Sequence, residues 1–354
     1  MNDDYLWDGS GKPDPEIQKL ENALARFRHE GQAPEFPAIT ATRQPRFWER
    51  FLPSHWSFGL AAAAATILFI AALGILRWGQ KPNGASEPGW DVESIAGTPQ
   101  VESTAFGKNA GSAKLGVGQT LVTDGHSKAN ISIADIGTVK VEPNTRLRLV
   151  AGGNGHNRLA LDRGTIHAYI WAMPGEFTVD TPSAIAVDLG CSYTLQVDDS
   201  GAGLLRTKLG WVGFKLDGHE AFIPAGAVCA TRPKFGPGTP YFDDASASFR
   251  DSLSKFDFAA STQEERSAEL AKILAESRQR DALTVWHLLA RADESDRGHV
   301  YDRLATLVPP PAEVTRDGIL RLDQKMLDLW WNQLGLGDVS LWRTWERSWS
   351  PAKT

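Results

Sequence analysis

Chemistry in this chain would have to come from His126, His156, His167 and His219, from the aspartates at 180, 188, 198 and 199, and from Cys191 and Cys229. Structural zinc draws on His and Cys at short recurring intervals, and the four histidines show no such spacing. Asp180 and Asp188, or Asp198 and Asp199, are the residue type of a glycosidase acid/base couple. Turn and strand-end roles account for the same carboxylates. The Gly-rich AGGNGHN at 151–157 runs between strands without a following helix, so it lacks the helix N-terminus that cradles phosphate. GxSxG, Walker and HExxH patterns are absent from the sequence. No catalytic residue, metal or cofactor is therefore assigned, and the chain is read as a non-enzyme. The two cysteines leave two readings open: a bridge between strands, or two small buried residues that never meet.

Binding is the chemistry that remains. Ile17, Leu20, Leu24 and Phe27 recur at helical spacing and form one narrow apolar stripe. An isolated helix of that length is marginal in water, so the stripe needs a partner. Trp342, Trp345 and Trp349 form a second stripe, suited either to docking on a helical core or to a partner or glycan. Trp330 and Trp331 are adjacent and point to different faces.

The elements that position these residues differ sharply along the 354-residue chain. Residues 1–30 hold the short helix, with Asp14 as N-cap and Pro15 at its first position, and 31–56 read as linker. The run SFGLAAAAATILFIAALGIL at 57–76 carries no charge and is bracketed by Trp56 and Trp78. Twenty helical residues span roughly 30 Å, the thickness of a hydrocarbon core, so 57–78 is read as a single transmembrane helix. Lysines and arginines before it place the N-terminus in the cytoplasm. The rest of the chain is then exported, where a disulfide can persist. A net charge of −6 with scattered cations excludes a nucleic-acid face.

A second linker is expected at 79–100. From 101 to 242, segments such as ANISIAD, TVKVEP, TRLRLV, RLALD, TIHAYI and SYTLQVD each alternate at period two, the pattern of half-buried strands. Asp217-Gly218 between two of these runs signals a two-residue hairpin. Sandwich, roll and solenoid all fit. From 243 to 354 the period turns helical: Phe249, Leu253 and Phe256 share a face, and Thr262 with Glu265 makes a capping box.

The ordered stretches LGVGQTLVTDGHSKANISIADIGTVKVEPNTRLRLV, RLALDRGTIHAYI and PGEFTVDTPSAIAVDLGCSYTLQVD, ending in GWVGF, resemble the FecR family over roughly 110–215. That resemblance implies an all-β periplasmic domain behind a bacterial inner-membrane helix, in a regulator that signals to a sigma factor. Within it Gly118 and Gly137 suit strand ends, Thr181-Pro182 ends a strand, and Gly190 suits a bulge or close approach. Two functional expectations follow. One is a FecR-like signalling regulator whose N-terminal stripe engages an extracytoplasmic-function sigma factor. The other, favoured by the short N-terminal segment, is a non-enzymatic envelope scaffold that binds envelope proteins or polysaccharide.

Overall fold

The computed structural model describes residues 89–340 apart from 103, 107–111, 154, 217, 260 and 261, together with helical positions 15, 18 and 19. The chain divides into two units, 1–81 and 82–354. The expected span at 57–78, the stripe Ile17, Leu20, Leu24 and Phe27, and Trp342, Trp345 and Trp349 lie outside the described residues. Among the described residues, no helix is long and apolar enough to cross a membrane.

The second unit begins with strands Gly89–Ala96 (β1), Gln100–Val101 (β2), Thr104–Ala105 (β3), Ala113–Gly116 (β4), Thr120–Val122 (β5) and Lys128–Ile133 (β6). Gly137–Val141 (β7), Arg146–Ala151 (β8), Asn157–Ile170 (β9), Phe177–Asp180 (β10), Ile185–Asp188 (β11) and Ser192–Val197 (β12) follow. Gly203–Leu209 (β13), Trp211–Leu216 (β14), His219–Pro224 (β15), Ala227–Arg232 (β16), Gly236–Pro237 (β17) and Tyr241–Phe242 (β18) complete the set.

These strands form two sheets that share β9. The first runs β4-β1-β6-β7-β9-β12-β13-β16, with β17 and β18 on β16. The second runs β3-β2-β5-β8-β9-β10-β11-β14-β15. Among the described residues, every pairing is antiparallel except β9 with β10. Residues 157–163 of β9 pair in the second sheet and 164–170 in the first. Of the three architectures left open above, this is a roll, two layers joined through one bent strand. Ile131, Val139, Ile166, Leu195 and Leu205 from one layer and Leu147, Leu149, Phe177, Val179 and Phe214 from the other fill one buried cluster. That is the inward half of the period-two pattern.

The bend in β9 needs a glycine. Gly164 has φ +100°, and a Cβ there would lie 2.4 Å from Thr145 Cα. Thr145 Oγ1 accepts from Thr165 N–H at 3.0 Å, tying the next residue down.

The expected linker at 79–100 is corrected in part: β1 lies within it. GWDVESIA alternates, with Trp90, Val92 and Ser94 buried, and β1 pairs with both β4 and β6. The surrounding Gly, Pro and Ser hid a strand whose period was present. Around the expected 217–218 hairpin, Leu216 pairs with His219 and Gly218 has φ +84°, while Asp217 lies outside the described residues.

Helices follow at Ala247–Phe258 (α1), Gln263–Glu276 (α2), Ala282–Arg291 (α3), Glu294–Leu307 (α4), Arg316–Leu320 (α5) and Gln324–Gln333 (α6). α1 buries Phe249, Leu253 and Phe256. α2 opens with the reciprocal capping box: Thr262 Oγ1 accepts from Glu265 N–H, and Glu265 Oε2 accepts from Thr262 N–H. α4 stops before Pro309, which cannot donate to a helical ladder. Trp330 and Trp331 of α6 are both buried, their indoles donating to Val308 O and Gly337 O.

Helices and roll are joined by buried and half-buried polar contacts. Thr284 Oγ1 donates to Pro240 O (2.9 Å), Arg291 to Pro237 O and Glu220 O, and Trp211 Nε1 to Leu336 O (2.6 Å).

Candidate functional site

The DLG turn between β11 and β12 concentrates the buried titratable groups of the roll. Asp188 ends β11 with only 1% of its surface exposed. Gly190, at φ +83°, lets the backbone double back so that its N–H reaches Asp188 Oδ1 at 2.7 Å. The Cys191 thiol donates to Oδ2, also at 2.7 Å. Burial pushes the Asp188 carboxyl up to about 7, against the pull of these two hydrogen bonds. Burial, then the nearby Asp188, drives the Cys191 thiol well above its ordinary range, which leaves it protonated and unreactive. Tyr193, the second residue of β12, is buried, and its hydroxyl has no hydrogen-bond partner among the described residues.

A Cys191–Cys229 bridge, one of the two sequence readings, is corrected: both thiols are free and buried. Cys229 lies on β16 opposite Leu205 of β13, whereas Cys191 precedes β12 on the other side of β13. Two strand spacings are about 10 Å, beyond the reach of a disulfide. Cys229 donates instead to Gly238 O at 3.2 Å.

The remaining carboxylates are spent on structure. Asp180 takes both its oxygens to Arg158 Nε (2.9 and 2.8 Å). Asp198 caps a turn through Ser200 N–H (2.8 Å), and Asp199 pairs with Arg163 (3.3 Å). His167 is half-buried against Thr194 Oγ1 (2.8 Å) and Glu142 (3.5 Å), and burial lowers its pKa. Among the described residues, no three His, Cys, Asp or Glu gather as a metal site would require.

His287 on α3 was not singled out from sequence, although a lone polar residue in the apolar run ALTVWHLL marks it. Its Nδ1–H donates to Leu283 O (2.8 Å), and Nε2 accepts from Phe222 N–H of β15 (3.0 Å). It therefore bridges helix and sheet as a neutral ring, and burial holds its pKa down to about 3. Phe222, Trp286 and Trp331 pack around it.

The surface feature that stands apart is apolar. Tyr169 (53% exposed), Trp171 (57%), Met173 (70%) and Leu209 (60%) are the most exposed large apolar side chains among the described residues. They gather where β9, β12 and β13 end at the DLG turn. Ala172 lies against Gly190, and Gly190 against Gly210, the residue after Leu209. Trp171 Nε1 donates to Asp135 O at 2.7 Å, and its ring meets Tyr169 edge-on at 5.4 Å. Sequence reasoning missed this patch. The signal was the phase of TIHAYIWAM, where Ile166, Ala168 and Ile170 face inward and Tyr169 and Trp171 must therefore face out.

The described residues thus form a two-sheet roll followed by helices, with an apolar patch on the roll's surface. Residues 119–207 match the family model described as FecR protein, so the chain carries a FecR domain. No curated protein matches. Two crystal structures, at 1.65 and 2.50 Å, of a protein of Parabacteroides distasonis ATCC 8503 provisionally described as an anti-sigma factor are similar to part of it. Each is 12% identical with a TM-score of 0.31, over 38% of this chain and 64% of that one. The chain thus spans less than two thirds of the length of those structures.

Proposed function

We propose that this protein is a non-enzymatic, membrane-anchored signalling regulator of the FecR type. One helix over 57–78 crosses the bacterial inner membrane, with the N-terminal residues in the cytoplasm and the roll and helices in the periplasm. There the roll senses an envelope partner. On the other side, the stripe Ile17, Leu20, Leu24 and Phe27 engages an extracytoplasmic-function sigma factor. The observation that carries this reading is the FecR match over 119–207, which falls on the roll, in a chain whose 57–76 run is long and free of charge.

The test uses the full-length protein in its host. Leu20→Asp with Leu24→Asp puts two charges on the stripe and should abolish co-purification of a sigma factor. It should also change transcription of that factor's targets severalfold. If transcription stays unchanged and no sigma factor co-purifies with the unaltered protein, the regulatory reading fails. The exposed Tyr169–Trp171 patch supports a second reading, an anchored envelope scaffold without a transcriptional role. Under that reading envelope binding persists although transcription does not respond.

A further inference from the structure

The outer face of the first sheet carries a strip that the roll leaves uncovered. Thr138 of β7, Tyr169 of β9, Ser192 of β12 and Leu209 of β13 lie side by side in register. Trp171 and Met173 follow Tyr169 along the chain beyond the end of β9, both exposed. Two residues further in, on the same face, runs a second row: Lys140, His167, Thr194 and Arg206. The register shift at Ser192/Tyr193 leaves Lys208 as an extra, exposed residue between Thr207 and Leu209, within electrostatic reach of His167.

Charges along the strip are unevenly satisfied. Arg206 is held by Asp243 (3.0 Å), and Glu142 is shared between Lys128 (2.6 Å) and His167 (3.5 Å). Lys140 and Lys208 make no ion pair among the described residues. On the opposite rim, Asp135 is exposed beside Trp171, and Glu176 accepts from Met173 N–H at 3.2 Å. From β7 to β13 the strip is therefore basic toward the strand middles and acidic beyond the strand ends, with Glu93 of β1 two strands from Lys140 in the second row.

Trp, Tyr and Met are the side chains that interface cores favour. Here the indole is fixed by a hydrogen bond and an aromatic edge, so little ordering cost remains on docking. An anionic bilayer would meet Asp135 at the exposed indole and be repelled there, which argues against a lipid occupant.

We propose that this strip docks an acidic segment of a partner protein. Apolar side chains of the segment lie over Tyr169, Trp171, Met173 and Leu209, and its Asp or Glu side chains meet Lys140 and Lys208. This assignment stands whether or not the N-terminal stripe binds a sigma factor.

Full-length protein in its native membrane, carrying p-benzoylphenylalanine in place of Met173, tests it on irradiation. The expected result is one discrete polypeptide adduct whose cross-linked peptide contains Asp or Glu. Lys140→Glu with Lys208→Glu should reduce that adduct by about tenfold, and Lys140→Arg with Lys208→Arg should keep it. The same label at Phe235, also exposed, should not yield it. Equal melting temperatures would show that the charge variants fold. Adducts to lipid or to a second copy of this chain, an adduct indifferent to charge reversal, or no adduct would each overturn the proposal.

Discussion

Asp188 and His287 are buried groups of opposite type, and their titrations act on stability in opposite directions. Asp188 is raised to about 7 from an ordinary 3.8, so the folded state binds more protons than the unfolded state in between. Its contribution is full below about 4 and is lost as pH rises through 7. At about 1.4 kcal/mol per unit, the loss amounts to about 4 kcal/mol. Asp188→Asn removes the titration and keeps the shape. Chemical denaturation from pH 4 to 8 should therefore show the unaltered protein losing stability relative to the variant. Parallel curves would show that Asp188 does not titrate in this range. His287 is lowered from 6.5 to about 3, so its contribution is present above 6.5 and is lost as pH falls toward 3. His287→Leu should remove that acid limb. It should also cost about 1–3 kcal/mol at pH 7, because Phe222 N–H loses its acceptor. At this scale sequence was a poor guide. Gly190 could be read as a bulge or close approach, but the reach of Cys191 to Asp188 rather than to Cys229 depends on β13 lying between β12 and β16.

Among elements, β9 decides the architecture. Its alternation was legible as two short strands, RLALD and TIHAYI, and their fusion into one bent strand was not. Nothing in a period-two pattern says which sheet each half joins. The bend shows in sequence only as Gly164, and its necessity shows only once Thr145 is seen 2.4 Å from where a Cβ would go. Gly164→Ala combines a left-handed φ with a backbone clash and should destabilise the roll by about 3 kcal/mol or more. A thermal melt unchanged within a degree would contradict that role. Local signals fared better where a motif closes on itself. The Thr262–Glu265 capping box and the pairing of Leu216 with His219 need only neighbours in sequence, and both are present. Thr262→Ala should cost about 1 kcal/mol, read as a lowered denaturation midpoint at unchanged slope.

For the whole molecule, a β region followed by helices was readable from the change in hydrophobic period near residue 245. The junction between them was not readable, since His287, Arg291 and Trp211 meet partners as far as 125 residues away. The exposed strip shows how much a correct phase assignment can reveal, because once Ile166 and Ile170 are placed inside, Tyr169 and Trp171 have only the surface left. The proposed function requires a roll held outside the cytoplasm by one helix. Protease treatment of intact spheroplasts expressing the full-length protein with an N-terminal epitope tests this most directly. The roll and helices should be digested, leaving a carbonate-resistant, membrane-bound N-terminal fragment that ends near residue 80. Full protection of the intact chain, or its release by carbonate, would contradict the account.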